Sequence, residues 1–177
     1  MPRAPRFAPG GMTFHVLNRA VARATLFHRP QDYAAFERIL AEALRRVPGV
    51  ALLDYCLMPN HWHLALTPSA AGELSALMRW LTNTHTQRYH AHYHTAGTGH
   101  IYQGRFKSFP VECAAASLLP VLRYIQRNAL RANLVARAQD WRWGSLWRGV
   151  HGDADDGGAG DRGGAGPALT PWPIAQP

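Results

Sequence analysis

Two histidines separated by one residue have the clearest chemical potential in this sequence. His61 and His63 flank Trp62 within the segment MPNHWH at positions 58–63. Side chains two positions apart share a side only where the backbone is extended, because strand residues alternate between faces. Two imidazoles on one face of a strand could form part of a metal site that takes its third ligand from elsewhere. Because the motif is short, a pair of solvated or hydrogen-bonded histidines is a simpler explanation of it than a metal site. The choice between the two depends on other parts of the sequence.

Tyr124 and Asn128 form a second pair, four residues apart in a helical pattern and therefore on one helix face. A phenol can attack a phosphodiester once a nearby cation stabilises its phenolate, and the amide oxygen of Asn128 is a hard donor that could complete a metal shell. Two imidazoles, one amide oxygen and open positions suit Mg²⁺ or Mn²⁺ better than a closed zinc site. A helical tyrosine is more often a core aromatic, so this spacing alone decides nothing.

The charge balance indicates a polyanionic partner. The formal net charge is +8, and of the 19 basic residues only Lys107 is a lysine. The planar arginine fork can donate two parallel hydrogen bonds to a phosphate, which makes nucleic acid the first expectation. A GC-rich genome would explain the preference for arginine but not the excess of positive charge.

The elements that must position these residues alternate between strand and helix patterns. Around the histidine pair, Trp62, Leu64 and Leu66 form one row of a half-buried strand, so the imidazoles belong to the other row. The predicted elements, in chain order, are a strand over Met12–Asn18, a loop to Arg29, a helix from Pro30 to Val47, strands over 50–57 and 61–67 joined by a turn at Pro59-Asn60, a helix from near Gly72 to near Tyr93, a strand over 105–111, and a helix over 118–128 capped by Ser117.

This order predicts an α+β protein with a ferredoxin-like split βαββαβ fold and an antiparallel sheet covered by helices on one face. The other face is expected to stay open, with the C-terminal helix that carries Tyr124 added to the core motif. Residues 12–150 are predicted to form one domain between a disordered N-terminus (1–11) and a disordered Gly/Pro-rich tail (151–177).

Several features predict a cytoplasmic protein. No stretch has the length and apolarity of a membrane span, and the N-terminus lacks an apolar leader segment. Cys56 and Cys113 have no Cys-x-x-Cys spacing, and both are expected to be buried.

Three segments together resemble the single-tyrosine transposases of the HUH superfamily, the IS200-like transposases, and most of all their REP-associated branch. The segments are MPNHWH at 58–63, GHIYQGRFKS at 99–108 and YIQRN at 124–128. The resemblance runs from about Phe14 to Trp147.

The resemblance implies that His61, His63 and Asn128 are metal ligands and that Tyr124 is the catalytic nucleophile, which cleaves single-stranded DNA and leaves a 5′-phosphotyrosine and a free 3′-hydroxyl. Mg²⁺ or Mn²⁺ would be the cofactor. The implied partners are single-stranded DNA and DNA hairpins of REP-like palindromes, with a nucleoid association, no membrane partner, and a monomeric or homodimeric state. The candidate DNA contacts are Asn18, Arg19, Gln103, Arg105, Lys107 and Arg131.

The chain departs from the family pattern at Ala129, where a proline commonly follows the asparagine. We therefore expect the helix of Tyr124 to continue through Leu130.

Two other functions are compatible with the same residues. A non-catalytic protein that binds DNA hairpins on this fold would keep its arginines while the histidines and the tyrosine drift, whereas all three motifs are present here. A zinc hydrolase would draw on the ten histidines, but no His-Glu-x-x-His arrangement exists. We expect His85, His90, His92 and His94 to be solvated or to face DNA.

Overall fold

The computed structural model describes residues 7–152 and 166–170. The ends predicted to be disordered fall mostly outside this range, at 1–6, 153–165 and 171–177, and the domain boundaries stay a prediction. Within the described residues, Ala8 is buried and the Gly11 N–H donates to the carbonyl of Pro68 at 2.7 Å.

Four antiparallel strands form the sheet of the described chain: β1 (Thr13–Arg19), β2 (Val50–Met58), β3 (His61–Pro68) and β4 (Lys107–Val111). They lie in the order β2-β3-β1-β4, with every neighbouring pair antiparallel. Two interior strands, β1 and β3, therefore form the centre of the sheet, and β4 is an edge strand. This order, with helices after β1 and β3, confirms the predicted ferredoxin-like split fold.

The first two helices, α1 (Pro30–Arg46) and α2 (Glu73–Tyr93), also agree with their predictions. Pro30 provides a pre-set φ at the first helical position, and the Asp32 carboxylate accepts the backbone N–H groups of His28 and Arg29 at 2.7 and 2.9 Å. α2 starts after Gly72, whose φ of +89° favours glycine.

Helices α1 and α2 cover one face of the sheet. Their apolar sides pack on alternate residues of the central strands in one cluster of fully or nearly fully buried side chains, among them Phe14, Val16, Phe36, Leu40, Trp62, Leu64, Leu66, Leu77 and Leu81. The row of Trp62, Leu64 and Leu66 therefore faces this core, as its alternation predicts.

The other face is not open, contrary to the prediction. Helices α3 (Ala115–Gln126) and α4 (Asn128–Arg131) lie on it and contact β2, and α3 also contacts β3 and β4. A second buried cluster forms beneath them from Leu53, Cys56, Met58, Ala65, Val111, Leu118, Leu122, Ile125 and Ala129. The apolar side of α3 is buried in this second cluster.

The N-terminal cap predicted for this helix is wrong. α3 begins three residues before Leu118, after Ala114, and Ser117 lies in its first turn. The Ser117 hydroxyl donates to Glu112 at 3.1 Å instead of capping the helix.

Two further expectations about burial are also wrong. His85 is buried in the first core, where its ring contacts Phe27 and Phe36, rather than solvated or facing DNA. Cys56 is buried as predicted, but Cys113 is exposed. No helix in the described part of the chain has the length and apolarity needed to cross a membrane.

Candidate functional site

The histidine pair lies on the face covered by α3, in register with residues of β1. Arg19 pairs with His61, and Leu17 pairs with His63. Because paired residues of neighbouring strands project to the same face, the odd-numbered side chains of β1 adjoin the imidazoles. The same alternation places His15 beside the imidazoles, although it was not among the predicted site residues. Its position in the same alternating row as Leu17 and Arg19 was a signal that could have found it.

The ring of His61 is fixed by Asn60. Nδ2 of Asn60 donates to the carbonyl of Arg23 at 3.3 Å, so its Oδ1 faces Nδ1 of His61 at 2.6 Å. Nδ1 of His61 must then carry the proton, because Oδ1 can only accept. Nε2 of His61 consequently presents a lone pair.

The ring of His63 is fixed by His15. Nδ1 of His63 and Nε2 of His15 are 2.8 Å apart, and the two rings stack with centroids at 5.0 Å and planes at 25°. The other ring nitrogen of His63, Nε2, is buried without a hydrogen-bond partner among the described residues. A buried polar atom without a partner is costly and rare in a folded protein, and a lone pair on this nitrogen would suit the predicted ligand role.

Burial keeps these imidazoles neutral. It lowers the pKa of His61 to about 4, with the positive charge of Arg19 acting in the same direction. It lowers the pKa of His63 to about 3, helped by His61, His15 and Arg19, and it also lowers the pKa of His15. Only a neutral imidazole can coordinate a cation, so both predicted ligands are in the competent form at neutral pH.

Tyr124 lies above the histidines. Its ring is edge-on to those of His15 and His63, with both centroid distances at 5.8 Å. The side chain is 39% exposed, so a bound strand could reach the hydroxyl. The Arg131 guanidinium carbon sits 5.2 Å from the centre of the Tyr124 ring, a cation–π distance. Tertiary packing therefore brings the predicted nucleophile to the predicted ligand His63.

Buried contacts under α3 set this placement. Leu118, Leu122 and Ile125 point into the second core, which directs the opposite side of the helix outward. Beneath the same helix, the hydroxyl of Ser145 hydrogen-bonds to the carboxylate of Asp54. Burial raises the pKa of Asp54 to about 7, against the effect of hydrogen bonds from Ser145 and Gln126. Asp54 thus links β2 to both α3 and α5 (Ser145–His151).

Asn128 begins a new helical segment rather than continuing the old one. α3 ends at Gln126, and α4 runs from Asn128 to Arg131, so the expected uninterrupted helix through Leu130 is wrong. Nδ2 of Asn128 donates to the carbonyls of Tyr124 and Ile125 at 2.9 and 3.3 Å. These bonds fix the amide and leave Oδ1 as its acceptor atom.

The donor set fits a divalent cation with open positions. Among the described residues, no group of three or more His, Cys, Asp or Glu side chains is arranged to hold a metal. The prediction of a cation here thus rests on His61, His63 and the amide oxygen of Asn128. Both histidines have Nδ1 in a hydrogen bond, which is the outer-shell arrangement that orients a metal-binding imidazole.

The predicted DNA contacts divide between two surfaces. Three of them lie on the Tyr124 face. Arg19 acts on the pKa values of the histidine pair and has its Nε buried without a partner in the described chain. Lys107 is exposed on β4 and pairs with Leu17, and Arg131 contacts Tyr124.

The other three, Asn18, Gln103 and Arg105, line a cleft of about 700 Å³ on the opposite side of the sheet, between α2 and residues 100–106. Asn18 is buried there. Its Nδ2 donates to the carbonyl of Gly104 at 3.2 Å, and its Oδ1 accepts the Arg19 N–H at 2.9 Å. Arg79, from α2, lines the same cleft. The structure thus brings Asn18 to Gln103 and Arg105 but not to Tyr124.

Comparisons with known proteins agree with this fold. Residues 10–128 match the family model described as "Transposase IS200 like". No curated protein sequence matches the chain. A solved structure of a REP-associated tyrosine transposase bound to a REP hairpin is similar, with a TM-score of 0.69 and 20% identity over 96% of this chain and 99% of that one. A provisionally assigned transposase from Deinococcus radiodurans R1 has a TM-score of 0.47 and 13% identity over 76% of this chain and 92% of that one.

Proposed function

The chain belongs to the IS200-like transposase family, and on that premise we propose that it cleaves and rejoins single-stranded DNA at or near hairpin-forming repeats, with Tyr124 as the nucleophile. The observation that carries this proposal is the convergence of the Tyr124 ring on the histidine pair, 5.8 Å from His63. Tyr124 belongs to a helix and His63 to a central strand. Their proximity therefore results from tertiary packing and not from the local structure of either element.

The proposed reaction is a transesterification. The phenolic oxygen of Tyr124 forms a bond to phosphorus while the bond from phosphorus to the 3′ oxygen breaks. The phenolic proton ends on the released 3′-hydroxyl, so the step needs no external reductant, oxidant or nucleotide. Because the 5′-phosphotyrosine conserves the phosphodiester bond energy, a 3′-hydroxyl can later attack it and rejoin a strand.

His61, His63 and Asn128 would hold Mg²⁺ or Mn²⁺, which when bound polarises the phosphate oxygens and stabilises their developing charge. The chain prepares this site by keeping both imidazoles neutral and by fixing their rings through Asn60 and His15. Rigid, pre-oriented donors cost no reorganisation when substrate arrives.

The positive side chains on the Tyr124 face would bind the DNA backbone. Arg131 lies against the Tyr124 ring, within reach of a phosphate that approaches the hydroxyl. Arg19 adjoins the histidines, and Lys107 is exposed two strands from His61. We expect these three residues to position the strand whose phosphate faces Tyr124.

The proposed substrate is a DNA hairpin with a single-stranded flank, of the REP-like palindrome type. The similar solved structure contains a REP hairpin, and this chain has the same fold with a net charge of +8. Asn18, Gln103 and Arg105 would contact the DNA from the cleft side of the sheet rather than at Tyr124.

Replacing Tyr124 by Phe tests the nucleophile. Labelled hairpin DNA with a single-stranded flank would be incubated with Mn²⁺ and resolved by denaturing electrophoresis. We expect the parent protein to give a slower labelled band that protease removes and Tyr124→Phe to give none. Tyr89→Phe is the matched control and should keep the band, because the Tyr89 hydroxyl bonds to His28 away from the site. A covalent band in Tyr124→Phe would assign the nucleophile to another residue.

A further inference from the structure

A row of rings crosses the sheet on the Tyr124 face and ends at an exposed phenylalanine. Phe109 on β4 pairs directly with His15 on β1, and their ring centroids are 6.3 Å apart at 40°. His15 stacks on His63 in turn. A single imidazole, that of His15, therefore separates Phe109 from Tyr124, which is edge-on to that imidazole.

Packing does not explain Phe109. Its side chain is 51% exposed on an edge strand, and neither core cluster of the described residues includes it. The edge strand β4 already carries Lys107 and Pro110, residue types that discourage an exposed edge from pairing with other chains. The ring of Phe109 is not needed for that purpose, and its contact with His15 extends the row of rings from Tyr124 to the sheet edge.

The neighbourhood of Phe109 has the charge of a nucleic-acid surface. Lys107 is exposed two residues earlier on the same strand, and the alternation of strand side chains puts it on the same face. On the opposite side of the ring row, Arg131 lies over Tyr124. An exposed aromatic ring between cations is the arrangement by which proteins hold single strands, with bases on the ring and phosphates on the cations.

We propose that Phe109 is a stacking platform for an unpaired base of the DNA strand whose phosphate reaches Tyr124, and that Lys107 binds the phosphate beside that base. This inference rests on the proposed function and adds a base-binding subsite to it. The subsite holds the strand flat on the sheet, with its base at the β4 edge and its backbone toward Tyr124. It recognises an aromatic base of any identity, because every base has a face that can stack.

The test compares two strands that carry the same phosphates. One is a fluorescein-labelled (dT)₂₀, and the other is the matching strand of twenty abasic residues, which has the same backbone without bases. Binding to full-length protein is followed by fluorescence anisotropy in Mg²⁺-free buffer. Electrostatic contributions are common to both strands, so the ratio of their affinities isolates the contribution of the bases.

We expect the parent protein to prefer (dT)₂₀ and Phe109→Ala to lose about 10-fold or more of its affinity for (dT)₂₀. Its affinity for the abasic strand should stay within about twofold of the parent. Phe109→Trp, which keeps an aromatic face, should restore the preference for (dT)₂₀. Val150→Ala is the matched control, because Val150 is 57% exposed on α5. This variant should bind both strands as the parent does.

An unchanged affinity of Phe109→Ala for (dT)₂₀, or an equal loss for both strands, overturns the platform. Melting curves of the Phe109 variants should superimpose on that of the parent, because the side chain is exposed. If the parent protein itself binds neither strand, the proposed function fails together with this inference. If the parent binds and only the base preference is missing, the proposed function stands and Phe109 has no such role.

Discussion

His63 and His85 lie on opposite faces of the same sheet and look alike by two common measures. Their side chains are 4% and 5% exposed, and burial lowers the pKa of each to about 3. Their hydrogen bonds differ. Nδ1 of His85 bonds to the Tyr102 hydroxyl at 2.7 Å, and that hydroxyl also accepts Nε1–H of Trp62 at 3.0 Å. Nε2 of His63 is buried with no hydrogen-bond partner among residues 7–152 and 166–170.

This difference in hydrogen bonding distinguishes a histidine that stabilises the core, His85, from the predicted metal ligand, His63. His85 joins α2 to Tyr102 in the segment that lines the cleft, and the bond to Tyr102 is enough to explain why an imidazole is buried there. His63 has a comparable bond from Nδ1 to His15, but its buried Nε2 has no hydrogen-bond partner among the described residues. Burial and a lowered pKa are therefore common to both histidines, whereas His63 has the one buried ring nitrogen without a partner in the described part of the chain.

Replacing each histidine by an apolar residue is expected to give the largest difference between the two positions. We expect His63→Ala to abolish divalent-dependent cleavage, a loss beyond the roughly 10–100-fold typical of removing an outer-shell partner. Hairpin binding should persist because it depends on the arginines. His85→Leu should keep cleavage and lose about 1–3 kcal/mol of unfolding free energy, because the buried Tyr102 hydroxyl loses its bond to His85 and keeps only the one from Trp62. Gel cleavage assays and urea unfolding measure the two effects, and normal cleavage by His63→Ala would remove its metal role.

Salt tests whether both faces bind DNA. We expect hairpin affinity to fall roughly 10³-fold between about 50 and 200 mM salt if about six phosphates are contacted. Arg131→Gln on the Tyr124 face and Arg105→Gln in the cleft should each reduce the slope of log K against log salt by about 0.7–0.9. Arg38→Gln, on the exposed side of α1, should leave it unchanged. A reduced slope for only one of the first two variants would assign DNA binding to one face.

The contact between His15 and His63 can be broken without removing a predicted ligand. His15→Phe keeps a ring of similar shape but deletes the nitrogen 2.8 Å from Nδ1 of His63. We expect Mn²⁺ affinity, measured by electron paramagnetic resonance of free Mn²⁺, to fall about 10–100-fold. His85→Leu serves as the control and should bind Mn²⁺ as the parent does. Equal Mn²⁺ affinity in His15→Phe and the parent would show that His15 does not orient His63.

Acid unfolding should sharpen the comparison further. His61, His63 and His85 have pKa values below the usual 6.5 of histidine, so the unfolded chain binds more protons than the folded one between about pH 3 and 6.5. The stability that these three neutral imidazoles contribute is therefore full above about pH 6.5 and is lost as the pH falls below it. His85→Leu should make this decline shallower, by at most about 1.4 kcal/mol per pH unit.

Urea titrations at pH 7, 5.5 and 4.5 measure this decline. Mn²⁺ should stabilise the parent and His85→Leu to the same extent, because only the folded state offers the paired imidazoles. It should not stabilise His63→Ala. Stabilisation of His63→Ala by Mn²⁺ would place the cation elsewhere.

Local patterns were sufficient for the four strands, for α1 and α2, and for the face of the histidine pair, but not for the bounds of α3. Alternation put His61 and His63 opposite Trp62, and Pro30 and Gly72 marked the starts of α1 and α2, as the structure confirms. These features depend on neighbours within a few residues, so the sequence contains the information directly.

Tertiary structure alone decided which distant residues share a surface. It placed α3 on the face expected to be open, brought His15 to His63 across 48 residues of sequence, and buried His85. It also separated Asn18 from Arg19, which are adjacent in sequence, because consecutive strand residues face opposite sides of the sheet. The physical reason is that burial and partnership depend on which apolar faces pack together, and the period of one element cannot specify its partner.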